Sequence, residues 1–428
     1  MARNVFTPLK TAQGLPAEEL RNIVRGRSLY IWGAGFLGRC VKSFFERNSF
    51  NVMAFLDINP ALTKVDGLDV FRPADILANV KKENAFIVLT VASHSKLTEE
   101  QCIYAGLEKD RDFLTYIQIP RQQPVIEIGG VCNYACSVCI KQSKPDNYMS
   151  AAVYKKVFNK LIAENPMLIS IDLSLWREPL LNPDIAEITR ITKNHVPCKL
   201  VTKLQCNTYL EELIKADPGQ IQIIAGGYEK TYEQNQTGKV FSWPDFVENI
   251  HKIKMYKEKY NANTSINLLY IMYKNSARDF EKMKRFCSEL GITAGTDAPY
   301  LTPYDNFLDI CEERELDSQI QKIKELITWD MEKVLKICED DAHKPCICQR
   351  IFPVIDYDTS VSLCHLFCKP RVCKSFLDTP YNEIAELRLK NDFCRKCQSY
   401  GLHRLDLEIL KRYYPQLPAL ETVHKMRR

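Results

Sequence analysis

The sequence predicts an α/β protein built of two successive parallel sheets, the second an open (β/α)6 barrel, followed by a cysteine-rich β-hairpin module. Three observations predict it. A strand, a glycine turn, a helix and a second strand follow one another from Leu29 to Leu56, which is the pattern of a βαβ unit. From Val125 the alternation of strand and helix starts afresh and runs through six units, too few to close an eight-fold barrel and suited to a partial one. Finally, ten of the 17 cysteines crowd into two clusters, one just after the first strand of that second series and one near the C-terminus.

Bulk properties bound the rest. A chain of 428 residues suggests two or three domains, and 46% hydrophobic with 26% charged residues is ordinary for a globular protein with a core. Lys+Arg 58 against Asp+Glu 53 gives +5, too little at this length to point to nucleic acid or to a membrane surface. No apolar run approaches the ~18 residues of a membrane span, and Met1 to Pro8 lacks an apolar signal core. The expectation is a cytoplasmic protein, where thiols stay reduced and clustered cysteines bind metal or iron–sulfur groups rather than pair. The isolated Cys40, Cys102, Cys198, Cys206, Cys287, Cys311 and Cys338 read as small core residues.

In chain order, residues 1–28 read as an arm with one helix, Ala17 to Val24. Residues 29–118 hold strands at Leu29–Trp32, Asn51–Leu56 and Ala85–Thr90, with helices at Arg39–Arg47 and Pro73–Val80 between them. Proline-bracketed residues 119–124 read as a linker. Residues 125–310 form the partial, TIM-type barrel: strands Val125–Ile128, Leu168–Ser174, Lys199–Thr202, Ile221–Ala225, Ser265–Met272 and Ile292–Ala294 alternate with helical stretches. Residues 311–345 connect, with one long helix from Glu312 to Cys338; 346–404 form the cysteine module, and 405–428 a basic tail.

Cys132, Cys136 and Cys139 have the spacing C-x3-C-x2-C on a loop past a strand end, where barrel enzymes place chemistry. Three thiolates can hold three irons of a 4Fe–4S cube and leave the fourth open to a ligand. Zinc or chance cysteines are the alternatives, but no His or Cys occurs between Cys139 and His195 to complete a zinc site. The loop resembles the C-x3-C-x-Φ-C signature of the radical S-adenosylmethionine (radical SAM) superfamily, over roughly residues 125 to 300. The resemblance implies that Cys132, Cys136 and Cys139 bind the catalytic 4Fe–4S cluster, whose open iron chelates S-adenosylmethionine. Reductive cleavage of that cofactor then yields a 5′-deoxyadenosyl radical. Val138 takes the Φ position, more often aromatic, and contacts the adenine. The Glu178-Pro179-Leu180-Leu181-Asn182-Pro183 run resembles the family's Gly-Gly-Glu-Pro segment, which makes Glu178 the partner of the cofactor's ammonium. Trp176 and Arg177 stand in place of the glycines, narrowing the pocket or bringing a cation to an anionic substrate. Thr202 and Lys203, at the end of the third strand, are further cofactor contacts by the resemblance, and Tyr273 and Asn275 are weaker ones.

Near the C-terminus, Cys346 or Cys348, then Cys364, then Cys394 and Cys397 form a second four-ligand set. It resembles the shortened SPASM, or twitch, module, in which a cysteine pair flanking a hairpin joins a C-x2-C to hold an auxiliary 4Fe–4S cluster; a structural zinc ribbon fits the spacing equally well. Residues 351–363 read as two strands about a turn, with Thr359 where a glycine is usual, and Cys368 and Cys373 have no assigned role.

Gly33-x-Gly35-x-x-Gly38 follows a strand and opens a helix, with Asp57 ending the next strand. That context suits a nucleotide pyrophosphate at the helix start and ribose on the carboxylate, or glycines that serve tight packing alone. The segment resembles small Rossmann-like domains of sugar-modifying enzymes and implies a nucleotide or nucleotide-sugar ligand. The resulting expectation is a radical SAM oxidoreductase acting on a small sugar-related substrate, with an electron donor such as flavodoxin or ferredoxin as partner. Its auxiliary cluster would take an electron in oxidation, epimerisation or dehydration. A radical SAM peptide or protein maturase, and a zinc-stabilised nucleotide-binding scaffold, are the competing readings.

Overall fold

The computed structural model describes residues 15, 17–80, 84–91, 95–119, 122–130, 132, 147–165, 167–236, 242–301, 303–344, 346, 354–365 and 367–413. Its N-terminal part is a six-stranded sheet made of β1 (Ser28–Trp32), β2 (Val52–Leu56), β3 (Lys64–Val65), β4 (Leu68–Phe71), β5 (Ala85–Leu89) and β6 (Phe113–Thr115), in the order β3-β4-β2-β1-β5-β6. All neighbours are parallel except the short β3 against β4. Successive side chains of a strand point to opposite faces, and the apolar residues divide accordingly. Leu29, Ile31, Phe55, Phe86 and Val88 join Phe44 and Phe45 in one core, while Tyr30, Trp32, Leu56, Ile87 and Leu89 build the other. Both faces being covered, β5 is buried at every residue. The helix expected from Arg39 begins earlier, at Phe36, with Gly35 as its N-cap.

The second sheet comprises β7 (Ile171–Asp172), β8 (Cys198–Thr202), β9 (Gln220–Ala225), β10 (Ser265–Ile271) and β11 (Thr293–Asp297), parallel and in strict chain order. Residues 122–128 extend it beside β7 through parallel bridges of Gln122 to Leu168 and Val125 to Asp172. Gln122 was expected in a linker. It belongs to the ladder instead, donating to the Met167 carbonyl at 2.9 Å and accepting from the Ile169 N–H at 3.0 Å, because two backbone groups this buried need partners. A further row comes from far along the chain: Ile355 pairs in parallel with Ile126, donating to Val125 O at 2.9 Å while Glu127 N donates back to it at 2.8 Å.

One face of this second sheet is packed, with Leu200, Ile223, Leu268 and Tyr270 meeting Phe158, Leu213, Phe246 and Met283 from the covering helices. The other face carries Asp172, Lys199, Gln220, Gln222 and Asn267, all half-buried. Lys199 and Asp172 neutralise one another at 2.8 Å. A parallel sheet is ordinarily apolar on both faces; this one keeps a polar, partly accessible side.

The Phe36–Arg47 helix lies between the two sheets. Its outer face meets the N-terminal ends of the second sheet's strands, where Arg47 donates to Leu168 O, Ser43 Oγ to His195 O at 3.1 Å and Arg39 to Gly219 O. The Phe36 ring approaches so closely that a Cβ on Gly219 would stand 2.8 Å from it.

The C-terminal part has its own core around Leu301, Tyr304, Phe307, Trp329, Phe367 and Leu402. The single helix expected from Glu312 to Cys338 is two, Ser318–Glu325 and Met331–Asp340. Between them the chain turns back onto the second sheet: Thr328 Oγ1 donates to Met272 O at 3.0 Å, Lys274 N to Leu326 O at 2.8 Å and Trp329 Nε1 to Pro299 O at 2.8 Å. An antiparallel pair, β12 (Val361–Cys364) and β13 (Phe367–Cys373), follows. The turn before β12 is closed by Asp356 N to Ser360 O at 2.8 Å, with Thr359 at φ 66, a left-handed conformation costly for a β-branched residue. Part of the expected tail is a helix, Leu405–Tyr413, because Leu405 and Ile409 are fully buried in this core. Among the described residues no helix is long and apolar enough to cross a membrane.

Candidate cofactor and cluster sites

Cys132 is half-buried, while Cys136, Val138 and Cys139 lie outside the described residues. The stem of their loop is well defined. Gly129 bridges Tyr148 and the Met149 N–H donates to Ile128 O at 3.0 Å. Across the stem, the buried Asn182 amide donates to Ile128 O at 3.0 Å and Met149 O at 2.9 Å. A Cβ at Gly130 would fall 1.6 Å from Asn147 O, so only glycine lets the two legs meet. The loop therefore leaves and returns at one point, at the C-terminal end of the 122–128 strand.

Glu178, Thr202 and Lys203 come together there. The Glu178 carboxylate is 2% exposed. It accepts from Thr202 Oγ1 at 2.7 Å and from the N–H groups of Leu180 and Lys203, both at 3.1 Å. The link to the cysteine stem is close, since a Cβ on Gly129 would lie 3.3 Å from the Glu178 carbonyl. Asn275 is turned elsewhere: it exchanges amide bonds with Asn235 at 2.8 and 3.1 Å.

Glu127 went unnoticed in the sequence. Its only signal there is an acid inside the apolar strand Val125-Ile126-Glu127-Ile128. It is fully buried, and its Oε2 accepts from the Leu175 N–H at 3.0 Å and the Trp176 N–H at 2.7 Å. Among the described residues its Oε1 has no hydrogen-bond partner. Burial pushes the carboxyl up to about 7; the Trp176 and Leu175 amides and the Arg177 cation pull it down, and Asp356 pushes it further up. Arg177 itself is committed to the hairpin. It donates to Asp356 Oδ1 at 2.7 Å and lies 5.1 Å over the Tyr357 ring, and Asp356 is also held by Arg371. Its guanidinium is thus paired within the chain, sharing the one Asp356 carboxylate with Arg371.

In the C-terminal module, burial raises the Cys397 thiol well above its ordinary pKa. Cys346, Cys364 and Cys394 lie near enough to push it further, while the His403 backbone N–H favours the thiolate. Burial likewise pushes Cys394 up to about 11, against Arg388 and with Cys346. The four are grouped, and Cys348 lies outside the described residues. Thiols, a buried setting and a backbone N–H aimed at one sulfur suit metal or iron–sulfur ligation, in which the incoming group displaces the protons. Among the described residues no three His, Cys, Asp or Glu already stand within reach of a single ion. Cys368 lies on β13. Cys373 stands opposite Val361, at the far end of the ladder from Cys364. Of the seven isolated cysteines, six are buried and Cys311 is half-buried, as small core residues should be.

The glycine turn has a packing account. A Cβ on Gly38 would stand 1.8 Å from Gly33 O, and one on Gly33, at φ 115, would meet Thr90 Oγ1 at 2.7 Å. Gly35 faces open space. Asp57 closes on the turn, accepting from Ala34 N at 2.9 Å and from Asn59 N at 2.9 Å. Phe36, which follows the turn, packs at the N-terminal end of the second sheet, whereas Cys132, Glu178 and Thr202 stand at its C-terminal end.

No protein-family profile and no curated protein matches this sequence. Among solved structures, the chain is similar to native anSMEcpe with bound AdoMet, at 16% identity over 70% of this chain and 98% of that one, with a TM-score of 0.43. It is also similar to Streptococcus suis SuiB bound to precursor peptide SuiA, at 15% identity over 83% and 80% of the two chains, TM-score 0.42. A third likeness is to BtrN in complex with AdoMet and 2-DOIA, at 14% identity over 68% and 91%, TM-score 0.34.

Proposed function

We propose that this chain is a radical SAM enzyme acting on a small, hydroxyl-rich, sugar-like substrate. The observation that carries the reading is the meeting of Glu178, Thr202 and Lys203 beside the stem of the Cys132 loop, at the end of a parallel sheet where such folds hold ligands. On this reading the second sheet is an open (β/α)6 barrel. Cys132, Cys136 and Cys139 hold a 4Fe–4S cluster which, with S-adenosylmethionine bound, supplies one electron and the 5′-deoxyadenosyl radical. Glu178 receives the cofactor's ammonium, oriented by the Thr202 hydroxyl and the Lys203 N–H; Val138 gives an apolar contact, and Asn182 keeps the cysteine loop closed. Cys364, Cys394 and Cys397 with Cys346 or Cys348 hold the auxiliary cluster, making net oxidation the favoured outcome. The half-buried Gln222 and Asn267, on the polar face of the sheet, support an uncharged substrate rich in hydrogen-bonding groups. A nucleotide at Gly33, Gly35, Gly38 and Asp57 would serve a separate site.

Anaerobic preparation tests the reading. The protein should carry about eight irons and eight sulfides per chain, and should release 5′-deoxyadenosine from S-adenosylmethionine under a strong reductant. Cys136→Ala should abolish that release. A colourless zinc protein, or undiminished release by the variant, overturns the proposal.

A further inference from the structure

Between β7 and the short 3-10 turn Pro179–Leu181, residues 173–178 belong to no strand or helix, yet this segment presents Glu178. Its backbone N–H groups at 175 and 176 need acceptors from elsewhere, and both find one oxygen, Glu127 Oε2. We infer that Glu127 is a positioning residue: its carboxylate anchors the turn that carries Glu178, and Arg177, Asp356 and Arg371 tie that same turn to the hairpin bearing Cys364. The inference rests on the reading of Glu178 as a cofactor contact and adds the regulation of that site.

Two features separate Glu127 from an ordinary structural acid. It is fully buried, and its second oxygen has no partner among the described residues, although buried polar atoms are nearly always bonded. That oxygen stands 3.6 Å from where a Cβ of Gly129 would be, so one carboxylate sits between the leg of the cysteine stem and the Glu178 turn. Hydrogen bonds to an ionised acceptor are roughly twice as strong as neutral ones, so the anchor tightens when Glu127 ionises. Its charged surroundings are Arg177 and Glu178 on the turn, Asp356 and Tyr357 on the adjacent segment, Arg371 from β13, and Asp172 on β7 neutralised by Lys199. With the carboxyl at about 7, the ionised fraction rises about tenfold between pH 6 and pH 8.

The test uses full-length, cluster-loaded protein, wild type and Glu127→Gln, with two measurements. Amide exchange protection of the 174–178 segment, read at pH 8, should fall severalfold in the variant while its iron content holds and its melting temperature does not fall below that of wild type. Wild-type affinity for S-adenosylmethionine should rise about tenfold from pH 6 to pH 8, and the variant's should be flat. Unchanged protection, or the wild-type pH slope persisting in Glu127→Gln, overturns the inference. A wild type that binds no S-adenosylmethionine at any pH overturns the proposed function instead, and the exchange measurement still decides the anchor.

Discussion

Arg177 donates to Asp356 at 2.7 Å across 179 residues of sequence, and this bond joins the turn beside the cysteine stem to the hairpin that leads to Cys364. Asp356 also holds Arg371 and is 5% exposed. Removing it leaves two arginines facing each other with no anion between them. Asp356→Ala should therefore cost about 2–4 kcal/mol, somewhat below a fully buried pair because Arg177 keeps partial solvent access. A shift in the denaturation midpoint would show it, and an unchanged midpoint would remove the tether from the account.

Glu127 makes a signed prediction for stability. Its folded pKa, about 7, lies above the ordinary carboxyl value of 4.5. The favourable contribution is therefore complete below about pH 4.5 and is lost as pH rises through about 7. A Gln side chain has no such loss. Glu127→Gln should match wild type near pH 5 and exceed it by about 3 kcal/mol at pH 8.5. Melting curves at the two pH values decide it, and a gap that fails to widen with pH would contradict the assigned shift.

Asn182→Ala removes two bonds that hold the legs of the cysteine loop together. The buried carbonyls of Ile128 and Met149 then lose a donor, at about 1–3 kcal/mol. Iron retention should drop sooner than the fold. Iron per chain, read alongside circular dichroism, separates this from general unfolding.

Cys397→Ser addresses the C-terminal group alone. It should lower iron from about eight to about four per chain, while leaving 5′-deoxyadenosine release without substrate. Loss of zinc rather than iron would favour a structural metal site.

The alternation of strands and helices was legible because each element's burial is written in its own short window. The register of β8, β9 and β10 follows from Leu200, Ile223 and Leu268 facing the helices. Thr359 was legible too, since a hairpin turn needs a left-handed residue whatever its surroundings. What escaped was non-local. Glu127 looks like a stray acid until Leu175 and Trp176 bring their amides to it. The break at Leu326–Asp330 depends on carbonyls of Met272 and Pro299 that no helical periodicity reveals. Arg177 looked available for an anion because its partner lies in the C-terminal module.

The Phe36–Arg47 helix has a consequence for how the chain is divided. It is a party wall: one side completes the first sheet's core, and the other seals the foot of the second. Ile169, from the second unit, is fully buried in the first unit's core. A chain cut at residue 122 would bare Ile169 and leave the Leu168, His195 and Gly219 carbonyls without the Arg47, Ser43 and Arg39 donors. Trimming the N-terminal unit is therefore a lesion of the second unit as well.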